Sequence, residues 1–389
     1  MEALLLSTLG ALGVLVYIRH DREKGIAPIN HLVGKELLKI STDKPSIRII
    51  VPSGSSGTDF DAQVYQKLFG GIVVYVDIQS PQTYPKIGEY YDINLWVERL
   101  FFPELFPCRT TWMMINQEML RTDEPLDTVN VFLCKTRYAE GLIKKYISAN
   151  NLKSKAIYTA HTSRDLGLTQ PRSKDYRLAV HFAGKSWLKG TYRLIKAWVR
   201  TDPQAELVVT CRDYCLDSDK LKKFLSYYFT LTSGGGGVEE IYSTPRTKIR
   251  LIKFLPTDQL DELQSRAGIW LCPSEVEGYG HYINEGRSAG AVVVTTNYPP
   301  MNELVSEKDG FLVNLGWGTK VIQEGMLPGS SRVFPQTRDL MTTLKRVFDT
   351  PKNQLMEKGQ RARERYLADD ELLTMTGHHL MAGDERLLH

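Results

Sequence analysis

Residues 272–313 read CPSEVEGYGHYINEGRSAGAVVVTTNYPPMNELVSEKDGFLV, and this stretch decides the fold. An apolar run ends at its start, a turn with Gly278 and Gly280 follows, and a helical pattern then leads into the buried run VVVTT at 292–296. A strand, a glycine-bearing turn, a helix and a strand are the repeating unit of a parallel α/β sheet. Glycines let the backbone approach a ligand closely, and amide groups at a helix start attract phosphate.

The same alternation extends on both sides of this stretch. IRIIVP at Ile47–Pro52, a helical pattern at 62–69 and IVVYVDI at 72–78 begin one series, with further short strands predicted at 111–115, 129–134 and 156–159. The composition turns polar near 165–175, and a second series starts with a strand at 178–183. We therefore expect two β/α domains, residues 45–170 and 175–345, with a closing helix at 350–375 that packs back toward the first domain.

Composition and charge exclude some classes of protein. Of 389 residues, 42% are hydrophobic and 24% charged, and the net charge is only +4 without a basic run, so we expect no nucleic-acid partner. The five cysteines form no CxxC pair, which favours free thiols over a metal site. No N-x-S/T sequon occurs. These features indicate a cytoplasmic protein or one on the cytosolic face of a membrane.

The N-terminus, residues 1–25, carries an apolar run. Residues 3–18 contain no charge, and Arg19, Arg22 and Lys24 follow. Sixteen residues are slightly fewer than the roughly 20 that span a bilayer, so a membrane anchor and a packed or interfacial helix both remain open. If the run inserts, the positive charges after it place the rest of the chain in the cytosol.

The motifs of the deciding stretch resemble the donor-binding region of the family-4 retaining glycosyltransferases (glycosyltransferase group 1). The family pattern is P-S, E-G-F-G, a second Glu eight residues after the first, a small-residue helix, a buried strand, then E-L-V and G-hydrophobic-L-V. The matching residues are Pro273, Ser274, Glu277, Gly278, Tyr279, Gly280, Glu285, Ala289, Gly290, Glu303 and residues 310–313. The resemblance implies the GT-B fold, an α/β architecture in which two Rossmann-like β/α/β domains face each other across a cleft.

The resemblance also implies roles for charged residues. In the family the first Glu meets the transferred sugar and the second meets the ribose, which assigns these roles to Glu277 and Glu285. The segment AVHFAGKSWLKGTYRLIKAW at 179–198 resembles the family's glycine followed by two basic positions, here Gly184, Lys185 and Lys189. Two cations facing the diphosphate would stabilise the leaving-group charge. Without the surrounding pattern, these glutamates and lysines would be interpreted as solvated surface residues.

Five further donor contacts follow from the same comparison. Gly278, Tyr279 and Gly280 form the turn before the helix, and His281 lies beside it. Phe254, in KFLP after a predicted strand, stands where the family contacts the nucleobase. A core phenylalanine and a structural histidine are the alternatives.

Residues of the first predicted domain are candidates for the acceptor side of the cleft. The family places a glycine-rich turn after the first strand, and the matching residues are Gly54, Ser55 and Gly57. Asn116, Gln117 and Glu118 end a predicted strand that faces the expected cleft, and His161 lies just before the boundary. Either could touch sugar or acceptor, although a lone His is more often structural. Asp59 and Asp61 form a D-x-D, but near a helix start such residues favour capping and dipole contacts over a metal, so we expect no metal site.

The function predicted from the sequence is a metal-independent hexosyltransferase of the retaining type. It would need no cofactor and would move a hexose from a GDP- or UDP-sugar to an unidentified glycan, lipid or protein-linked acceptor, with membrane association through residues 3–18 as an option. A nucleotide-sugar epimerase of the same fold, a glycosidase that uses the two glutamates, and an inactive sugar-nucleotide-binding subunit are the alternatives. Residues 315–333 depart from the family and predict an insertion near the acceptor side.

Overall fold

The computed structural model describes residues 45–53, 56–79, 88–167, 173–211, 218–234 and 239–383. The N-terminal apolar run and the predicted cleft residues Gly54 and Ser55 lie outside these ranges. Within them, no helix combines the length and the apolar character that crossing a membrane requires.

A six-stranded parallel sheet forms the first half of the chain. Its spatial order is β2-β1-β3-β4-β5-β6. The strands are β1 (Ile47–Pro52), β2 (Ile72–Val76), β3 (Tyr91–Val97), β4 (Cys108–Ile115), β5 (Val131–Cys134) and β6 (Lys155–Tyr158), and the helices are α1 (Ser56–Phe69) and α2 (Arg137–Ala149). Every residue of β1 is buried, as expected for a strand in a sheet covered on both faces.

An eight-stranded sheet forms the second half, in the order β14-β13-β12-β7-β8-β11-β10-β9. Its strands are β7 (Asp175–Gly184), β8 (Glu206–Cys211), β9 (Thr230–Gly234), β10 (Glu239–Ser243), β11 (Lys248–Ile252), β12 (Ala267–Cys272), β13 (Val292–Thr296) and β14 (Gly310–Val313). Its helices are α3 (Thr191–Thr201), α4 (Asp219–Tyr228), α5 (Thr257–Arg266), α6 (His281–Ser288), α7 (Met301–Leu304) and α8 (Thr337–Asp349). In this sheet β10 pairs antiparallel with both of its neighbours, β9 and β11, and the other strand pairs are parallel.

The last helix, α9 (Lys352–Met381), touches both halves. It packs against α6 and β13 of the second sheet and against α1 of the first. Tyr366 donates a hydrogen bond to the carbonyl of Ser163, and Leu380 is buried in the core of the first sheet. The helix therefore joins the two sheets.

A short hairpin, β15 (Val321–Gln323) and β16 (Ser331–Val333), lies in the segment that departs from the family pattern. Val333 at its base is in the core of the second sheet, whereas Leu327 at its tip is fully buried in the core of the first. Tyr138 of α2 donates to the carbonyl of Gly329. The hairpin is thus a second connection across the cleft.

Candidate active site

The site is centred on an ion pair between Lys189 and Glu277. The Lys189 ammonium lies 2.5 Å from Oε1 of Glu277 and 4.2 Å from the centre of the Tyr282 ring. Glu277 is 9% exposed and also accepts a hydrogen bond from the buried Ser274 hydroxyl. Because the carboxylate follows β12 and the lysine follows β7, neighbouring parallel strands deliver both charges to the same sheet edge.

The turn that carries Lys189 is shaped by glycine. Gly190 has a φ of 69°, and a Cβ there would lie 2.4 Å from the carbonyl of Pro273. Only glycine tolerates both constraints, so the basic turn can press against the loop before Glu277. Lys185 lies at the opposite end of this turn and is exposed to solvent.

Glu285 and Phe254 lie around the same edge. Glu285 is on α6, where burial raises the pKa of its carboxyl against the influence of His281, Arg164 and Lys189. Gly280 adopts a φ of 103° as the N-cap of α6. Phe254 directly follows β11 and is 60% exposed, so its ring is available for stacking. Lys189, Phe254 and Glu277 thus each follow the carboxyl end of a strand of the second sheet.

The loop after β4 in the first sheet faces this edge. Gln117 is 1% exposed, and its Nε2 donates to the Glu277 carbonyl at 2.6 Å. Asn116 donates through Nδ2 to Oε2 of Glu98 at 2.5 Å. A Cβ on Gly278 would lie 2.3 Å from Oδ1 of Asn116, so only glycine permits this approach of the two loops.

A buried polar network occupies the adjoining part of the cleft. Oδ1 of Asp61 lies 2.6 Å from Nε2 of His161 and 3.1 Å from Nε2 of His281, and Lys135 binds Oδ2 at 3.0 Å. Burial opposes the charge on Asp61, but Lys135 and the two imidazoles outweigh it and hold the pKa of that carboxyl well below its usual range. Burial lowers the pKa of His161 to about 4. The expectation that Asp61 caps a helix is wrong, because its carboxylate joins both halves of the chain.

Ligand atoms of Asp61, His161 and His281 lie within 4.8 Å of one another, and among the described residues this is the group that could hold a metal ion. The hydrogen bonds just described satisfy the shared oxygen without an ion. The Lys135 ammonium on the same carboxylate would also repel a cation. The network is therefore explained by hydrogen bonding.

Two sequence-predicted residues, Tyr279 and Gly57, lie away from the Lys189–Glu277 pair. Tyr279 is 3% exposed, and its hydroxyl donates to the carbonyl of His161 at 2.6 Å, so its ring forms part of the contact between the halves. Gly57 lies exposed in the first turn of α1. A cavity of about 300 Å³ opens beside this contact and is lined in part by His161, Tyr279 and Glu303.

The sequence did not single out several residues that hold this geometry. Lys135 and Glu98 carry no motif, since their partners Asp61 and Asn116 are not their neighbours along the chain. Glu303 was part of the E-L-V match, but its function is visible only in the fold: its carboxylate accepts from the backbone amides of Arg137 and Tyr138, each at 2.7 Å. It thereby caps α2 of the first sheet from the second.

Part of the chain is similar to known glycosyltransferases. The family described as "Glycosyl transferases group 1" matches residues 244–317. A GDP-mannose:cellobiosyl-diphosphopolyprenol alpha-mannosyltransferase from Xanthomonas oryzae pv. oryzae (strain PXO99A) is 29% identical over 142 residues, which are 36% of this chain and 33% of that protein. The enzyme of the same name from Xanthomonas campestris is 28% identical over the same shares. The match thus spans about a third of the curated relatives' length.

Solved structures resemble the chain over most of its length. Sucrose-phosphate synthase from Thermosynechococcus elongatus superposes with a TM-score of 0.58 at 15% identity, covering 86% of this chain and 97% of that one. A glycosyltransferase from Rickettsia africae gives 0.56 at 12% identity, covering 89% and 99%. At these identities the likeness establishes the fold, which is the one that the sequence predicts. The chain is therefore a GT-B-fold protein that resembles the group 1 glycosyltransferases, with the family match in residues 244–317.

Proposed function

We propose that this protein is a retaining glycosyltransferase that moves a hexose from a GDP- or UDP-sugar to a carbohydrate-containing acceptor. The observation that carries the proposal is the contact between Lys189 and Glu277 at the edge where the two sheets face each other. Here a cation suited to a departing diphosphate adjoins a buried carboxylate suited to sugar hydroxyls. No metal ion is needed in this scheme.

In the proposed complex, Lys185 and Lys189 meet the diphosphate. Lys185 is exposed and can move to a phosphate, whereas Lys189 would exchange its contact with Glu277 for one with the leaving group. Backbone amides near Gly280, at the start of α6, would add donors to the phosphate. Stabilising negative charge on the diphosphate lowers the barrier to its departure.

Glu277 and Glu285 would bind different parts of the sugar nucleotide. Glu277, freed from Lys189, would accept hydrogen bonds from hydroxyls of the transferred hexose. Glu285 would hold the ribose, and the exposed Phe254 ring would stack on the base. With no nucleophile assigned in this scheme, the acceptor would attack from the face that the phosphate leaves, and the phosphate would take its proton. Trapping of a covalent glycosyl-enzyme would contradict this step.

GDP-mannose is the first donor to test, because both curated relatives are described as GDP-mannose enzymes. Their acceptor is linked to a polyprenol diphosphate, so a lipid-linked acceptor at the cytosolic face of a membrane is part of the proposal. The N-terminal apolar run at 3–18 would suit such a location.

Calorimetry of the full chain with GDP, UDP, ADP and their sugars tests the assignment. We expect saturable binding of one nucleotide, weakened about 100-fold in Lys189→Ala and less in Lys185→Ala. The exposed Lys345→Ala is the matched control and should bind normally. No binding by a folded chain would contradict the proposal. A glycoside plus free nucleotide as products would separate a transferase from an epimerase, and loss of transfer in Glu277→Gln would exclude an inactive binding subunit.

A further inference from the structure

Three consecutive side chains after β4 each carry a buried oxygen atom that has no hydrogen-bond partner. The atoms are Oδ1 of Asn116, Oε1 of Gln117 and Oε2 of Glu118. Each buried acceptor without a donor costs about 1–3 kcal/mol, so three consecutive ones are unfavourable unless something donates to them. We call residues 116–118 the acceptor triplet.

Loops from the second sheet enclose the acceptor triplet on two sides. A Cβ on Gly278 would lie 2.3 Å from Oδ1 of Asn116 and 2.7 Å from Oε1 of Glu118. On the other side, a Cβ on Gly325 of the hairpin would lie 2.3 Å from the Glu118 carbonyl. The triplet is therefore held between the Glu277 loop and the hairpin that departs from the family pattern.

The surroundings of the triplet do not favour a bound anion. Burial raises the pKa of the Glu118 carboxyl to about 8, with Glu98 and Glu277 acting in the same direction. The nearby cations are already engaged: Lys135 with Asp61, Arg99 with Glu124 and Lys189 with Glu277. A phosphate buried here would lie among acidic side chains whose neighbouring cations are already paired, and an unpaired buried charge is costly.

Building on the proposed function, we infer that the acceptor triplet is the subsite for the reacting sugar of the acceptor, and that this sugar is uncharged and rich in hydroxyls. Its hydroxyl groups donate to Asn116, Gln117 and Glu118 when the cleft opens to admit it and closes again. Gln117 is also bonded to the Glu277 carbonyl, which sets the acceptor sugar beside the transferred hexose. Sugars phosphorylated on the reacting ring are excluded.

Binding to the nucleotide-saturated full chain tests this inference without requiring transfer. The probes are methyl glucoside, methyl mannoside and cellobiose, compared with glucose 6-phosphate and mannose 6-phosphate, by calorimetry and saturation-transfer NMR. We expect a neutral sugar to bind at least about 100-fold more tightly than its phosphate, a difference of about 2.7 kcal/mol. Glu118→Ala should weaken the neutral sugar about tenfold and leave the nucleotide dissociation constant unchanged.

Glu104→Ala, at an exposed glutamate of the same half of the chain, is the matched control and should bind like the wild type. If Glu118→Ala does not fold, Asn116→Ala tests the same subsite. Tighter binding of a sugar phosphate, no binding of any neutral sugar, or an unchanged dissociation constant in the variants would overturn the inference. Failure of the nucleotide itself to bind would instead overturn the proposed function.

Discussion

Oδ1 of Asp61 lies 3.1 Å from Nε2 of His281, so a carboxylate of the first sheet meets an imidazole of the second. The same carboxylate binds the buried ammonium of Lys135 at 3.0 Å, and both side chains are at most 2% exposed. An ion pair in such a place contributes little net stability when complete, but removing one partner leaves an uncompensated buried charge.

We therefore predict that Asp61→Asn destabilises the protein by about 3–5 kcal/mol. Urea unfolding followed by circular dichroism measures the change. The double variant Asp61→Asn with Lys135→Met should recover part of the loss, because it removes the orphaned charge. Asp349→Asn breaks an exposed ion pair on α8 and should leave the unfolding midpoint unchanged. Equal losses of stability in Asp61→Asn and Asp349→Asn would contradict the argument from burial.

A second prediction concerns stability at acid pH. His181 is fully buried, between the Leu271 carbonyl at 2.7 Å and the Thr191 hydroxyl at 2.8 Å. Burial lowers the pKa of His181 to about 4, below the unfolded value of about 6.5. The unfolded chain then binds more protons, so stability is lost as the pH falls from about 6.5 to about 4.

His181→Gln removes this contribution while offering one donor and one acceptor to the same partners. Between pH 7 and pH 5 we expect the wild type to lose about 2 kcal/mol more than the variant. Urea titrations at the two pH values measure the difference. The exposed His378→Gln is the control and should follow the wild type. If the stability of the wild type and of His181→Gln falls equally between pH 7 and pH 5, the His181 imidazole is not the source of the loss.

A third prediction concerns the closest approach of the two loops. In Gly278→Ala the added Cβ would meet Oδ1 of Asn116 at 2.3 Å, while Asn116 is held by Glu98. The loops must separate, and misplacement of about 1 Å at a reacting centre can cost about 100-fold in rate. We expect kcat/KM to fall by about that factor with little change in melting temperature. Gly141→Ala, where nothing lies within 4 Å of the added Cβ, is the control and should keep the wild-type kcat/KM; equal losses in the two variants would contradict a steric cause.

Much of the fold could be predicted, because buried parallel strands are continuous apolar runs. Val292–Thr296 is a strand with the predicted bounds. β3, at the centre of the first sheet, is not among the predicted strands. Its sequence YDINLWV contains Asn94, which is polar but 1% exposed. Arg48 donates to Asn94 at 3.0 Å, and Asn94 donates to the Phe106 carbonyl at 2.7 Å. Only the fold reveals these partners.

The site divides in the same way. Glu277 and Lys189 could be found from sequence because each stands in a local motif. The network of Asp61, Lys135 and His281 could not, since the members lie up to 220 residues apart and no local pattern links them. Contacts between the two halves depend on how the sheets face each other, which hydrophobic periodicity does not encode.

The hairpin provides the last prediction, since neighbouring residues at its tip have opposite environments. Leu327 is fully buried in the core of the first sheet, whereas Met326 is 45% exposed. The base of the hairpin is fixed to the second sheet through Arg332, which binds Oε2 of Glu275. Because the hairpin contacts the first half through Leu327 and the second through Arg332, it should limit the separation of the two halves.

We predict that Leu327→Ala lowers the free energy of unfolding by about 2–5 kcal/mol, the usual range for a buried leucine. It should also increase the radius of gyration of the unliganded protein in small-angle scattering, because the hairpin loses its hold on the first sheet. Met326→Ala, one residue away, should change neither quantity. If Leu327→Ala lowers stability but leaves the radius of gyration unchanged, Leu327 contributes to packing alone, and the remaining cross-cleft contacts, including Asp61 with His281, suffice to hold the halves together.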